Sequence, residues 1–529
     1  MVPRTEMRSR DDRVQITVGL DEADDPTSVR AHAARALSMA EEELPELRLV
    51  KRSIDARGRR VRITLTLEPA PAGSEPPLGG ARPREVSGDP VVIVGDGPAG
   101  LFCAYELARA GVAVIVVDRG KEVQPRRRDL AQLNRAGKVD EDSNYCFGEG
   151  GAGTYSDGKL YTRSDKRGPV RDVMQVLALH GAPRAILTDA RPHIGSNKLP
   201  KVIAAMRERL LAVGVRFRFG SRVVGLVTTA GARRCVTGVR LADGDEVGGT
   251  HVVLATGHSA RDVLRMLDDE GVRLEPKAFA LGARIEHPQP LIDRIQYGRD
   301  AGHPVLPPAS YRLARTVEDR GVFSFCMCPG GWIVPAATSP GALVVNGMSL
   351  SKRGSPFANS GLVVSIEPAD WEAAGFSGPL GGVEFQDTIE RAAFEAGGGA
   401  LRAPATRVSD FVAGRGSTSV PQGSYRPGFT AGDVAEVLDV TGHRLAPRLV
   451  SALRTFGGRL RGYVTEEAVL VGVESRTSSP VRVPRDPESL QSFELGGLYP
   501  CAEGAGYAGG IASAAVDGVR VAQAILASR

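Results

Sequence analysis

No apolar run in this 529-residue chain approaches the roughly 20 residues needed to span a bilayer, so a membrane is not expected among its partners. The first residues, MVPRTEMRSRDDR, carry charge without the apolar stretch of a secretion signal. Cysteine is sparse. Six residues (Cys103, Cys146, Cys235, Cys326, Cys328 and Cys501) are too few for a disulfide framework in so long a chain, which predicts a reduced, cytoplasmic compartment. Neither a C-x-x-C pair nor four cysteines at ligand spacing occurs, so no metal site is expected. Excess charge of one sign is also lacking. With 67 basic and 62 acidic residues the net charge is +5, too small and too evenly spread to argue for nucleic acid as a partner. An anionic ligand could still use it.

What is present is a dinucleotide-binding fingerprint. The stretch from Asp89 to Arg119 reads DPVVIVGDGPAGLFCAYELARAGVAVIVVDR. Val91 to Val94 has the length and β-branching of a buried parallel strand. It runs into a G-x-G-x-x-G turn in which Gly95 allows the tight bend and Gly97 lets the backbone approach a pyrophosphate. Pro98 and Ala99 open a helix whose N-terminus offers unpaired N–H groups, and Gly100 lets that helix pack closely on the strand. A second strand, Val112 to Val117, ends at Asp118 and Arg119. An acid at this distance accepts hydrogen bonds from a ribose; a solvated strand end is the plainer reading of Asp118. Glycine-rich turns are common, but strand, turn, helix, strand and acid together specify a dinucleotide site.

The length allows roughly two to four domains. Residues 1–69 read as a small α+β unit: strands Val14 to Val18, Leu47 to Ile54 and Val61 to Leu67, with a helix from Ser28 to Glu43, a β-α-β-β order that suits a ferredoxin-like fold. A Pro/Gly/Ser-rich linker is expected at 70–88. A discontinuous Rossmann-type α/β domain should occupy 89–276 and 466–529. The intervening 277–465, with short strands and many prolines, reads as an inserted α+β substrate domain. Within the first part lie a glycine-rich loop from Cys146 to Lys159, a strand opening at Val223, and a strand from His251 into Ala255-Thr256-Gly257. The tail returns to strand, glycine-rich turn and helix from Gly496 to Leu526.

The segments CFGEGGAGTYSDGKLYT, RPHIGSNKL, ARIEHPQPLID, FSFCMCPGGWIVPA, NGMSLSKR, GVESRTSSPVRVPRD and PCAEGAGYAGGIASAAVDG span nearly the whole chain. They resemble the glutathione-reductase-like class of FAD proteins, and within it a bacterial family of FAD-dependent dehydrogenases of unassigned substrate. The resemblance implies FAD as cofactor. It implies that Gly151, Gly153, Thr154, Ser156 and Lys159 line the flavin, with Val223, Ala255, Thr256 and Gly257 beside the dinucleotide. It also implies that Glu503 and Gly504 bind near the ribityl–phosphate region. Gly509, Gly510 and Ile511 would then open a helix whose positive end stabilises reduced flavin. One departure stands out: Ala502 occupies a place where the family typically has glycine, and its methyl disfavours a positive φ.

His193, His287 and Lys159 are the candidates for catalysis. Either histidine could transfer a proton or serve only as a structural hydrogen bonder, and Lys159 could place a cation near the flavin or lie solvated. Arg284 and Arg476 could meet a substrate carboxylate, the flavin phosphates or a structural partner. Cys326-Met327-Cys328 invites a dithiol relay, but the usual flavin-linked spacing is C-x-x-C, and a buried apolar pair is the favoured reading. No second G-x-G-x-x-G with flanking strand and acid occurs. NAD(P)H as a transient reductant, an electron carrier, or the substrate itself would then supply electrons. The expected activity is an FAD-dependent dehydrogenase or reductase acting on a small organic substrate. The alternatives are a flavin monooxygenase using NAD(P)H and oxygen, and an RNA- or protein-binding flavoprotein with residues 12–69 as adaptor.

Overall fold

Val91 to Val94 are buried on both faces, which fits only the middle of a sheet covered by helices on each side. In a computed structural model that describes residues 13–70, 82–161, 168–230 and 234–529, they form the central strand of a five-stranded parallel sheet. Its order is Leu498–Pro500, His251–Leu254, Ser87–Val94, Val112–Val117, Arg216–Arg218. Register aligns Val94 with Leu254 and Val117. The turns that follow these strands therefore open on one edge, where ligands of such sheets bind. The edge strand and the helix Ile511–Ser528 come from the far end of the chain, so this domain is built from both ends of the sequence. That helix is apolar and long enough to cross a membrane by length and composition; here its buried side packs on Pro98–Arg109. Closeness at the crossing needs Gly518, where an added Cβ would sit 2.1 Å from the Ala99 carbonyl oxygen.

The insert is a seven-stranded, mainly antiparallel sheet in the order Ala314–Val317, Arg320–Cys328, Phe357–Ile366, Phe279–Pro288, Val469–Glu474, Ala403–Arg407, Phe429–Ala431. The strand Val469–Glu474, which sequence places in the returning FAD domain, pairs instead with Phe279–Pro288 and Ala403–Arg407 inside this sheet. All six of its residues are buried. A continuous apolar run does not say which of two covered sheets it joins.

The small unit has its three strands in the order Val14–Val18, Arg62–Pro69, Leu47–Asp55, all antiparallel neighbours, with one helix, Pro26–Leu37. This is the split β-α-β arrangement; among the described residues it carries neither a fourth strand nor a second helix. The helix stops well short of Glu43 because Ser38 turns left-handed (φ 55°). Arg52 exchanges backbone hydrogen bonds with Thr188 and Ala190, and Asp300 of the insert accepts from Arg60 and the Val61 N–H. The unit is thus docked on both larger domains. Of the expected linker, 71–81 lie outside the described residues. Arg84, Val86 and Ser87 hydrogen-bond along Ala108, Val213 and Gly111, so this end belongs to the FAD-binding domain's edge.

Candidate flavin-binding and active site

The first turn is held by contacts that only glycine permits. Gly95 has φ 102°, and a Cβ there would lie 2.4 Å from the Ala255 carbonyl oxygen. Gly97 is the N-cap of Pro98–Arg109 and supplies no side-chain cap, so the first N–H groups of the helix are left to whatever occupies the space before them. Both carboxylate oxygens of Asp118 take backbone donors: Oδ2 accepts from the Asp96 N–H at 2.9 Å and Oδ1 from the Gly120 N–H at 2.8 Å. The acid therefore shapes the turn as well as facing the cavity.

Beside this turn lies the glycine-rich loop, and a residue that sequence reasoning missed organises it. Arg126, fully buried on the helix Val123–Ala136, donates to the carbonyls of Asn144, Tyr145, Gly148, Glu149 and Gly151. Five oxygens converge on one guanidinium, so the loop has one shape. It brings Gly151 so close that a Cβ on it would be 3.0 Å from the Gly97 Cα. Thr154 turns inward to donate to the Glu149 carbonyl.

The third wall joins Gly257 and His258 to Gly504 and Glu503, far apart in the chain. A Cβ on Gly504 would meet the Gly257 N and O at 2.8 Å, and Glu503 Oε2 lies 3.4 Å from His258 Nδ1. Ala502 does sit at positive φ, 55°, held by its N–H to Asp517 Oδ2 at 2.8 Å. Asp517 is fixed in turn by Arg485 at 2.7 Å. A non-glycine residue pays about 1–2 kcal/mol for this conformation. Ala502→Gly is therefore expected to raise stability by roughly 0.5–1 kcal/mol after the added freedom of the unfolded chain is counted. Thermal melting of the two proteins side by side checks this; an unchanged or lower midpoint would contradict it. Gly510 then caps the helix Ile511–Ser528, again with no side-chain cap.

These three walls line one cavity, about 240 Å³ in volume. Gly95, Gly97, Pro98, Ala99, Asp118, Gly151, Gly153, Ser156, Lys159, Ala255, Thr256, Gly257, Glu503, Gly510 and Ile511 line it. The remaining expected positions do not. Gly100 and Gly504 act behind the wall through packing, and Gly509 lies against Glu503. Val223 is buried in the antiparallel sheet Val223–Thr229, Cys235–Leu241, Glu246–Gly248. Arg119 turns away to Asp142 and Asp262, stacked over Phe147.

Neither candidate histidine reaches the cavity. His287 is fully buried, 2.8 Å from the Tyr463 carbonyl, and burial pushes it down to about 4; it is a neutral core group. His193 is half-buried and meets the Ser351 carbonyl at 3.3 Å, with burial again lowering its proton affinity. His258 stands in their place on the cavity wall. Its position directly after Thr256-Gly257 was the available signal. Arg476 also lines the cavity, yet its charge is answered by Glu390 at 2.7 Å. Arg284 pairs with Glu474 at 2.6 Å in the interior of the insert.

The largest departure concerns the cysteines. Cys326 is exposed to the cavity rather than buried in the core. Lys159 Nζ lies 3.9 Å from its sulfur and 3.6 Å from that of Cys328, and 3.8 Å from Asp157 Oδ2. Burial opposes the Asp157 charge, but Lys159 and Arg353 outweigh it and bring the carboxyl to about 2. Burial likewise opposes the Lys159 charge, and the two sulfurs and Asp157 hold it protonated. A hydrogen bond from Cys328, with Lys159 and Arg284 nearby, brings the Cys326 thiol down to about 5; Cys328, as the donor, is pushed up.

A second, far smaller space, about 30 Å³ in volume and little more than a water molecule's room, adjoins the first on the side of the insert. Cys146, Ser156, His258, Asn346 and Arg476 border both spaces, while Tyr155, Val334 and Val344 give the smaller one apolar walls.

Residues 89–140 match the model of the FAD binding domain, and residues 278–477 that of the FAD-dependent protein, C-terminal domain-like family. Residues 11–69 match a domain of unknown function. An uncharacterized protein of Clostridium beijerinckii is 39% identical over 533 residues, covering 97% of each chain. Among solved structures, FqzB covers 83% of this chain and 76% of its own at 13% identity, with a TM-score of 0.35. CtdE in complex with FAD covers 83% and 84% at 11% identity, with a TM-score of 0.31. Likeness at such scores carries no argument about residues or chemistry. The chain belongs to the family of the clostridial protein, a family of FAD-dependent proteins, with FAD as its cofactor and oxidoreduction as its class of chemistry.

Proposed function

We propose that the protein is an FAD-dependent dehydrogenase or reductase that passes an electron pair between flavin and a small organic substrate held between the FAD-binding domain and the insert. The observation that carries this reading is the cavity walled by glycine turns and faced by two helix N-termini without side-chain caps, whose insert side is lined by Phe325, Cys326 and Asn346. The donors fit the cofactor. The helix from Pro98 places N–H groups and a positive dipole end where a diphosphate would lie, and Asp118 keeps acceptor capacity for a ribose. Gly151, Gly153 and Ser156 on one side, and Gly257, Gly510 and Ile511 on the other, would hold the flavin end. Bound there, FAD supplies two-electron chemistry; the protein supplies placement, polarisation and exclusion of water.

His258 is the residue placed to hold or move a proton. It borders both spaces, and Glu503 at 3.4 Å orients its ring. Electrons enter or leave through NAD(P)H acting transiently, a carrier, or the substrate itself. Anaerobic titration of the FAD-loaded protein with NADH and NADPH in turn tests the reading. Slow bleaching by both supports it. Rapid bleaching by one, followed by oxygen uptake and a hydroxylated product, would replace it with a monooxygenase. Asp118→Ala is expected to weaken FAD retention by about 1–3 kcal/mol through lost hydrogen bonds. Full occupancy after dialysis would remove Asp118 from the seat.

A further inference from the structure

We propose that Cys326 and Cys328 are a redox-active pair that exchanges an electron pair with the flavin, cycling between dithiol and disulfide. The inference rests on the flavin seat proposed above and is independent of the choice of organic substrate. Alternate residues of a regular strand stand about 6.6 Å apart, near the upper limit for disulfide-linked Cα atoms. The strand Arg320–Cys328 is not regular at this point. Its pairing with Phe357–Ile366 shifts register between Phe325 and Cys328, and Cys326 itself has φ 45°. For a residue with a side chain this is a costly conformation, of the kind that collects at functional sites. The kink brings the Cys328 thiol back to donate to the Cys326 carbonyl oxygen at 3.3 Å, and both sulfurs converge within 4 Å of Lys159 Nζ.

The surroundings suit thiol chemistry. Lys159, within 4 Å of both sulfurs, supplies the positive field that a thiolate needs. Arg284 adds a second cation: its guanidinium donates to the Cys326 carbonyl at 2.8 Å and to Cys328 Sγ at 3.6 Å. Cys326 and Lys159 line the same cavity as Gly257 and Ile511, so Cys326 faces the flavin seat, with Cys328 buried behind it. The step balances with the cofactor as oxidant. The Cys326 thiolate and the Cys328 thiol form an S–S bond, the Cys328 S–H bond breaks, and two electrons and that proton pass to FAD, giving the reduced flavin anion. The reverse step reduces the disulfide.

Reductive titration of the intact FAD-loaded protein with dithionite, after mild oxidation and under anaerobic conditions, counts the electrons. Four per flavin are expected in the wild type and two in Cys326→Ser. Alkylation and peptide mass spectrometry before and after reduction should find the Cys326–Cys328 linkage in the first sample and both thiols labelled in the second. A third readout needs no turnover: iodoacetamide should label Cys326 in the reduced protein at pH 6 roughly tenfold faster than an ordinary thiol. Lys159→Met should move that pH profile upward, a shift that a merely structural lysine would not produce. Protein that binds FAD but accepts only two electrons and shows no linkage overturns the pair alone. Protein that takes up no FAD overturns the seat and the pair together.

Discussion

Replacing Glu390 by glutamine is expected to cost about 3–5 kcal/mol of stability at neutral pH, the penalty for breaking a buried ion pair from one side. Glu390 lies on the helix Gly381–Ala396 and is fully buried. Its oxygens accept from Arg476 at 2.7 and 3.0 Å, from Arg261 at 2.9 and 3.0 Å, and from Ser475 at 2.6 Å. Arg261 belongs to the FAD-binding domain and Arg476 to the segment that follows the strand Val469–Glu474 out of the insert, so one carboxylate joins the two domains where both cavities meet. Burial opposes the Glu390 charge, but Arg261 and Arg476 outweigh it and hold the carboxyl below the usual range. A carboxyl depressed in this way stabilises fully above its unfolded value, near 4.5, and its contribution is lost as pH falls through the folded value. The gap between wild type and variant should therefore be widest at neutral pH and narrow on acidification below about 4.5. Thermal melting across that range checks both parts. A loss under about 1 kcal/mol at pH 7 would mean that the two arginines find other partners.

Gly100→Ala should abolish flavin retention, and comparison with Gly97→Ala explains why. A Cβ on Gly100 would stand 1.9 Å from the Gly95 carbonyl oxygen and 3.2 Å from Ile93 Cγ2. The helix cannot retreat, because Ala99 is pressed against Gly518 from the other side. Overpacking of this kind costs about 1–3 kcal/mol, and the displaced helix end leaves the diphosphate without its donors. Gly97 is different. Its φ is −74°, and an added Cβ meets nothing nearer than the Gly151 Cα at 3.9 Å. Gly97→Ala should leave the melting temperature of the FAD-free protein unchanged while lowering FAD affinity by roughly 100-fold, about 2.7 kcal/mol. Spectroscopic titration with FAD and melting of the stripped proteins separate the two effects. If Gly97→Ala binds FAD normally, the diphosphate does not lie against this turn.

The nucleotide-binding turn was legible because each of its requirements falls within a short stretch of chain: a bend at Gly95, a bare cap at Gly97, an acid one strand later. The three walls were readable as separate turns for the same reason. The convergence of His258, Cys326 and Arg476 was not, since each is placed by the docking of one sheet on another. His287 and Cys326 show the limit from opposite sides. His287 was a candidate for proton transfer, yet Tyr463 and the insert's core enclose it; a buried apolar role was the favoured reading of Cys326, yet a register shift turns it outward. In the sequence nothing distinguishes Arg126 from Arg127 and Arg128 beside it. Only the folded loop reveals five carbonyls waiting for it. The strand Val469–Glu474 was assigned to the wrong sheet because burial on both faces erases the alternation that would identify its neighbours.

Because the parallel sheet takes its edge strand from residues 498–500 and its second cavity-facing helix from residues 511–528, a growing chain cannot close the cofactor seat until those residues have been made. The early turn at Gly95–Gly100 must wait, with a side of its helix uncovered, until they leave the ribosome. Flavin capture is thereby tied to the arrival of a distant segment, and a chain cut before Ile511 would keep the apolar face of Pro98–Arg109 bare.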